Sequence, residues 1–112
     1  MEDQKILDLF FRRSQQAIAE TDRKYGSYLY TISYNILSDR EDSKECVNDT
    51  YLGAWNAIPP KRPGVLGAFL GKMTRYISID RWRKRNAKQR GGGEILRSLE
   101  ELQECIAAAD PE

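Results

Sequence analysis

The residues best suited to chemistry lie between Lys72 and Arg90. Over that stretch eight Lys or Arg stand against one acid, Asp80. A helix placed there sets Lys72, Arg75, Ile79, Trp82 and Arg83 on one side, with Tyr76 at its border. Positive groups neutralise phosphates, and flat rings offer surfaces on which unpaired bases stack. A merely solvated face would not carry Trp82 and Ile79. These residue types support binding to a polyanion, a nucleic acid above all, and not the making of bonds. The plainer alternative is that Trp82 belongs to a second packing contact and the charges only solubilise the helix.

Catalysis has little to work with. The chain contains no histidine. Its two cysteines, Cys46 and Cys105, stand far apart without metal-ligand spacing, and no Gly-rich phosphate loop follows a strand pattern. Asp39 and Asp42 form a carboxylate pair, but at a helix start, where the helix dipole accounts for them. The expectation is no catalytic residue, no metal site, no cofactor and no enzymatic activity. The cysteines are expected as two free, partly buried thiols, a single disulfide being the alternative that a reducing compartment disfavours. No stretch approaches the roughly 18 to 20 apolar residues of a membrane span. The first five residues lack the basic start and apolar run of a signal peptide, so a cytoplasmic protein without a membrane partner is expected.

The basic helix must be held by the rest of a chain of 112 residues, enough for one small domain. The overall charge of +1 hides a segregation: residues 1–60 carry −3, residues 61–90 carry +9 and residues 91–112 carry −5. On the basic helix Leu66, Phe69, Leu70, Met73 and Ile77 recur at helical spacing and form the stripe expected to face the core. Before it, Pro59, Pro60, Pro63 and Gly64 must interrupt helix, leaving a stiff loop in which Lys61 and Arg62 extend the positive surface. Earlier still, residues 3–13 read as a short amphipathic helix. Residues 15–37 read as a long one that Ser14 can cap, weakened near Gly26 by about 1 kcal/mol relative to Ala. Tyr25, Tyr28, Tyr30 and Tyr34 on that helix offer either a stacking surface or, the favoured reading, core and rim.

Ser38 followed by Glu41 fits a capping box, so a third helix should begin at about Asp39. Val47, Tyr51, Ala54, Trp55 and Ile58 form its inward stripe, and Asp42, Glu45, Asn48 and Asp49 remain outside. Such an acidic face can be solvated and nothing more. Gly91, Gly92 and Gly93 end the basic helix, and Ile95, Leu96, Leu99, Leu102 and Ile106 suggest a further short helix with an acidic outside. With no strand pattern anywhere, the fold is expected to be all-α: a compact helical bundle of three to four helices with a Pro-rich loop before the basic helix. Residues 1–90 form the domain and residues 91–112 an acidic linker.

Two stretches together resemble a known family. Asp42 to Trp55 (DSKECVNDTYLGAW) is similar to the acidic helix of region 2 of bacterial sigma-70 family sigma factors, commonly D-A-E-D-L-V-Q-E-T-F-L-R-A-W. Phe69 to Arg83 (FLGKMTRYISIDRWR) resembles that region's promoter-reading helix, which ends in a pattern like R-N-x-x-I-D-x-x-R. Order and separation match, over about residues 15–90, and the short extracytoplasmic-function type is the subgroup most resembled. Tyr76 stands where the family usually has Asn, and Asn48 and Asp49 replace Gln and Glu.

The resemblance implies a helical bundle that binds the β′ clamp helices of RNA polymerase core through Asp42, Glu45, Asn48, Asp49 and Thr50. It implies recognition of the −10 promoter element and retention of its melted non-template strand by Lys72, Arg75, Tyr76, Ile79, Trp82 and Arg83, supported by Lys61 and Arg62. Asp80 is expected to point toward the core side and pair with a neighbouring Arg. An anti-sigma factor is a conceivable further partner. Nothing in these residues encodes the family's second, −35-reading domain, so the chain reads as the N-terminal domain and linker of a longer protein. Two rival readings share the same features: a general single-stranded nucleic-acid-binding helical module, and an interaction bundle whose basic helix docks an acidic protein.

Overall fold

The computed structural model describes residues 1–87. They form four helices, α1 (Asp3–Phe11), α2 (Gln16–Leu37), α3 (Arg40–Ala57) and α4 (Leu66–Asn86), and no strand occurs among them. The fold is an all-α bundle. The expected continuation of the basic helix to Arg90, the triple-glycine joint, the segment around Leu96 and Cys105 lie outside the described residues.

A helix of nine residues does not stand alone in water. α1 is held because Ile6, Leu7 and Phe10 are fully buried, each worth about 1.5–3 kcal/mol relative to exposure. At its start Asp3 accepts hydrogen bonds from Lys24 Nζ (2.7 Å) and Tyr25 Oη (2.7 Å) of α2. Its end is a Schellman closure: Ser14 N–H donates to Leu9 O and Arg13 N–H to Phe10 O, both at 2.9 Å. Arg13 therefore adopts a left-handed φ of 57°, a place normally taken by glycine. Its side chain explains the exception. Arg13 Nη1 donates to the carbonyl oxygens of Trp55 (2.7 Å) and Ile58 (2.9 Å), and the guanidinium lies 3.8 Å over the Trp55 ring. These carbonyls close α3, where the helix dipole favours a cation.

Ser14 Oγ accepts from Gln16 N–H at 3.3 Å, as expected of a residue opening α2. At the other end the capping box moves by one residue. Ser38 sits at φ 51° with its N–H on Tyr34 O (2.8 Å), closing α2. Asp39 then caps α3, its carboxylate accepting from Asp42 N–H at 2.8 Å. Gly26 in mid-α2 has a packing reason: a Cβ there would come within 2.7 Å of Asp22 Oδ1, the atom that accepts from the Tyr51 hydroxyl of α3 at 2.7 Å.

α2 and α3 run antiparallel, with Asp22 against Tyr51. α4 runs alongside α2 in the same direction, since Tyr28 meets Gly71 and Ser33 meets Ser78, and against α3, since Thr50 meets Thr74 and Asp42 meets Arg81. The core joins Ile6, Leu7, Phe10, Leu29, Ile32, Val47, Tyr51, Ala54, Ile58, Leu66 and Leu70.

The inner side of α4 differs from the expected apolar stripe. Leu66 and Leu70 are buried, but Phe69, Met73 and Ile77 are only half-buried, and Gly71, Thr74, Ser78 and Ile79 go inward instead. Small side chains let α4 approach closely; a Cβ on Gly71 would lie 2.9 Å from the Tyr28 hydroxyl. Burying hydroxyls is tolerable because each is bonded: Ser78 Oγ donates to Ser33 Oγ (2.7 Å), and Thr50 and Thr74 meet at 2.8 Å while reaching their own helix carbonyls. Cys46 is buried with a free thiol. No described helix is long and apolar enough to cross a membrane.

Candidate nucleic-acid interface

On α4 the expected nucleic-acid residues fall on one side of the helix by spacing, because positions 72, 75, 76, 79, 82 and 83 follow three- and four-residue steps. Lys72, Arg75, Tyr76, Trp82 and Arg83 are each half-buried. Lys72 Nζ lies 5.7 Å from the Tyr76 ring centroid, a cation beside a flat face. Asn86 Nδ2 donates to Trp82 O at 2.8 Å, holding the last turn.

Ile79 departs from the expectation. It is completely buried, so its side chain supports this face from beneath and is not itself presented to a strand. Ile79 was placed on the outer side by helical spacing, but the basic and aromatic side chains flanking it are long enough to leave the short branched one inside.

The loop cations have local partners. Arg62 Nη2 bonds Gln4 Oε1 (2.8 Å), lies 3.4 Å from Asp8 Oδ1, and its guanidinium sits 5.1 Å from the Phe11 ring, so this residue ties the loop to α1. Lys61 is exposed, with Nζ 5.7 Å from the Phe69 ring. Among the tyrosines of α2, Tyr25 and Tyr30 pack on the core's edge, while Tyr28 and Tyr34 are exposed. Tyr30 and Tyr34 stack on each other, centroids 5.8 Å apart.

On α3 the five residues expected at the acidic face separate. Glu45, Asn48 and Asp49 are exposed. Thr50 is fully buried, its hydroxyl on Cys46 O and against Thr74, so no external partner reaches its side chain in this packing. Asp42 is only 25% exposed and is held by two arginines of α4, Arg81 (3.2 Å) and Arg85 (3.2 Å). Arg81 also reaches Glu45 (3.0 Å) and, more distantly, Asp49 (4.0 Å). Arg85 Nη2 donates in addition to Leu37 O at 3.0 Å, the negative end of α2. Burial would pull the Arg81 guanidinium's pKa down, but Cys46, Glu45 and Asp42 beside it hold it above its ordinary value.

Neither arginine was expected in this role. The available signal was that position 81 follows Ile77 by one turn on the side of α4 that faces the bundle, opposite a row of acids spaced 42, 45, 49. Asp80 departs from its expected place: it is exposed and pairs with Lys84 at 3.0 Å along α4, not with an Arg at the core side. Between α3 and α4, Asp42, Asp49, Asp80, Arg81, Lys84 and Arg85 line an open groove of about 500 Å³. Among the described residues no group of three or more Cys, Asp or Glu is arranged to hold a metal ion.

The family model for Sigma-70 region 2 matches residues 22–88. The chain belongs to the sigma-70 region 2 family. Sigma-70 region 2 is a transcription-initiation domain that binds RNA polymerase and recognises the −10 promoter element, and it is not a family of catalysts. The matched span runs from within α2 through the whole of α3 and α4. α1 precedes it, yet supplies three of the most deeply buried side chains of this region 2 domain. Comparison with curated proteins and with solved structures returns no match.

Proposed function

We propose that this region 2 domain is of the extracytoplasmic-function type. In this reading it docks on the β′ clamp helices of RNA polymerase core through the outer side of α3 and holds the melted non-template strand of the −10 element across α4. Residues 1–90 make the domain and residues 91–112 a linker. One observation carries the reading. α4 presents Lys72, Arg75, Tyr76, Trp82 and Arg83 half-buried on a single side, while the carboxylates of Glu45 and Asp49 stand on a different one. A strand and a basic protein surface can therefore bind together without competing for the same residues.

Melting costs about 1.4 kcal/mol per base-pair step on average. Stacking of an unpaired base on an aromatic ring returns about 1–3 kcal/mol, so Tyr76 and Trp82 offset one to a few steps and select the open strand. Arg75, Arg83 and Lys72 add phosphate contacts whose strength falls as salt rises. Of the five residues expected at the acidic face, Glu45, Asn48 and Asp49 make the docking contact, and Asp42 and Thr50 shape the helix that carries them.

The experiment is capture of RNA polymerase core by the chain, with Glu45→Lys and Asp49→Lys together as the variant. Capture is lost in the variant and retained in Glu41→Lys. With core bound, a −10-like single strand is preferred over a random one, and Trp82→Ala removes the preference. Equal capture by the doubly reversed variant would refute the docking face, and equal affinity for the two strands would point to a general single-strand binder.

A further inference from the structure

The ion pairs between α3 and α4 involve the same carboxylates that docking requires. The three acids around Arg81 are not equivalent. Asp42 is the least exposed, 25%, and shares two arginines, one of which also bonds Leu37 O; it braces the meeting ends of α2, α3 and α4. Glu45 and Asp49 are 59% and 54% exposed, and among the described residues each pairs across the helices with Arg81. Exposed ion pairs are individually weak and exchange readily. A guanidinium near three carboxylates also cannot give all of them its best geometry, as the spread from 3.0 Å to 4.0 Å shows.

We propose that Arg81 is an internal competitor: at Glu45 and Asp49 it occupies the place that a basic side chain of the docking partner takes on binding. The identity of that partner, the polymerase clamp, rests on the docking reading above; the competition itself rests on the ion pairs. A cation arriving at Glu45 and Asp49 displaces Arg81 from them, leaving Arg81 to Asp42. Because Arg81 belongs to α4, the helix that carries the strand-binding side, occupancy of α3 is felt on α4 through the exchange. By linkage the coupling is reciprocal. Arg85, bonded to Asp42 and Leu37 O, keeps the helices together meanwhile.

The test compares Arg81→Gln with Lys84→Gln. The second removes the same charge from the same helix, but its ammonium pairs with Asp80 at 3.0 Å and not with α3. Binding of the full chain to RNA polymerase core, and separately to a decalysine peptide, is measured at fixed ionic strength after circular dichroism shows helix content retained. Arg81→Gln tightens both by about five-fold relative to Lys84→Gln, a coupling of the size found between contacting residues. The gain disappears when Glu45→Gln and Asp49→Asn are also present. Should Arg81→Gln fail to fold, Arg81→Lys, which keeps the charge but gives up the planar fork, shows the same direction with a smaller gain. Binding by the Arg81 variant no tighter than by the Lys84 variant overturns the proposal, as does a gain that survives the loss of both acids. Decalysine following the expected order while core is not captured by the unmodified chain supports the competitor and counts against the docking reading alone.

Discussion

Thr50 lies in the motif of the acidic helix, yet its side chain is inside, and replacing it with valine separates a packing role from a docking one. Valine matches threonine in shape, so the change removes a hydroxyl and little else. Thr50 Oγ1 reaches Cys46 O at 2.9 Å and Thr74 Oγ1 at 2.8 Å, and Thr74 Oγ1 reaches Leu70 O at 2.9 Å. Two hydroxyl protons thus serve three close contacts. After Thr50→Val, Thr74 still donates to Leu70 O, so no donor is orphaned and the loss is that of an ordinary buried hydrogen bond, about 1 kcal/mol. For a domain of this size that corresponds to a fall in Tm of roughly 4–8 °C. Thr74→Val alone costs a similar amount, and the double variant costs less than the two together, because replacing both partners leaves an apolar pair of the same shape. Thermal melts followed by circular dichroism give the stabilities, and capture of polymerase core well below the melt gives docking. An unchanged melt with ten-fold weaker capture would show that Thr50 contacts the partner directly and would refute the reasoning.

Ile79→Ala, at a fully buried position, costs about 2–5 kcal/mol of stability, whereas Trp82→Ala on the same side weakens single-strand binding more than it lowers the melt; the two readouts measured side by side check the division. Arg13→Ala loses the bonds to the Trp55 and Ile58 carbonyls and keeps the left-handed backbone, while Arg13→Gly loses the bonds but relieves the backbone; urea unfolding places Ala below Gly by about 1 kcal/mol, with both below the unmodified protein. Burial, then the hydrogen bond to Asp3 and its charge, push Tyr25 up to about 12, and burial with the bond to Asp22 pushes Tyr51 up as well. Phenols raised in the folded state contribute stability that is whole below their unfolded value near 10 and lost as pH climbs through the folded values. Tyr51→Phe therefore flattens the alkaline fall in the urea midpoint above about pH 10. Burial opposes the charge of Asp3, but its bonds from Lys24 and Tyr25 and the charge of Lys24 outweigh it and hold the carboxyl below its ordinary value. Its contribution is present above about pH 4 and fades as pH falls further, and Asp3→Asn removes that acid dependence.

Much of this was legible in the order of residues. Ile6, Leu7 and Phe10, and then Val47, Tyr51, Ala54 and Ile58, announce their helices because apolar spacing is what buried helices need. α4 was harder for the same reason: half of its inner side is Gly71, Thr74 and Ser78, which an apolar pattern does not count. Ile79 sat among charges and seemed to belong to them, since spacing fixes a direction and not a depth. Ser38 and Asp39 are both good helix-opening residues, and only the left-handed turn at Ser38 decides between them. On the candidate site, a run of like charge was informative as a total but concealed that Arg81 and Arg85 turn inward to the acids of α3. That pairing depends on the crossing of two helices, which no single stretch encodes.

The hydroxyl contacts buried between helices have a consequence for how region 2 works. Ser33 with Ser78 and Thr50 with Thr74 are mated point to point, and sliding α4 by one turn, about 5.4 Å, would break both contacts in a dry interior. Leucines alone would tolerate such slippage far better. The seam therefore acts as a ratchet tooth, fixing the offset between α3 and α4, the helices proposed above for docking and for strand binding. In the assembly proposed above, that offset is inherited from four small polar side chains, all of them fully buried.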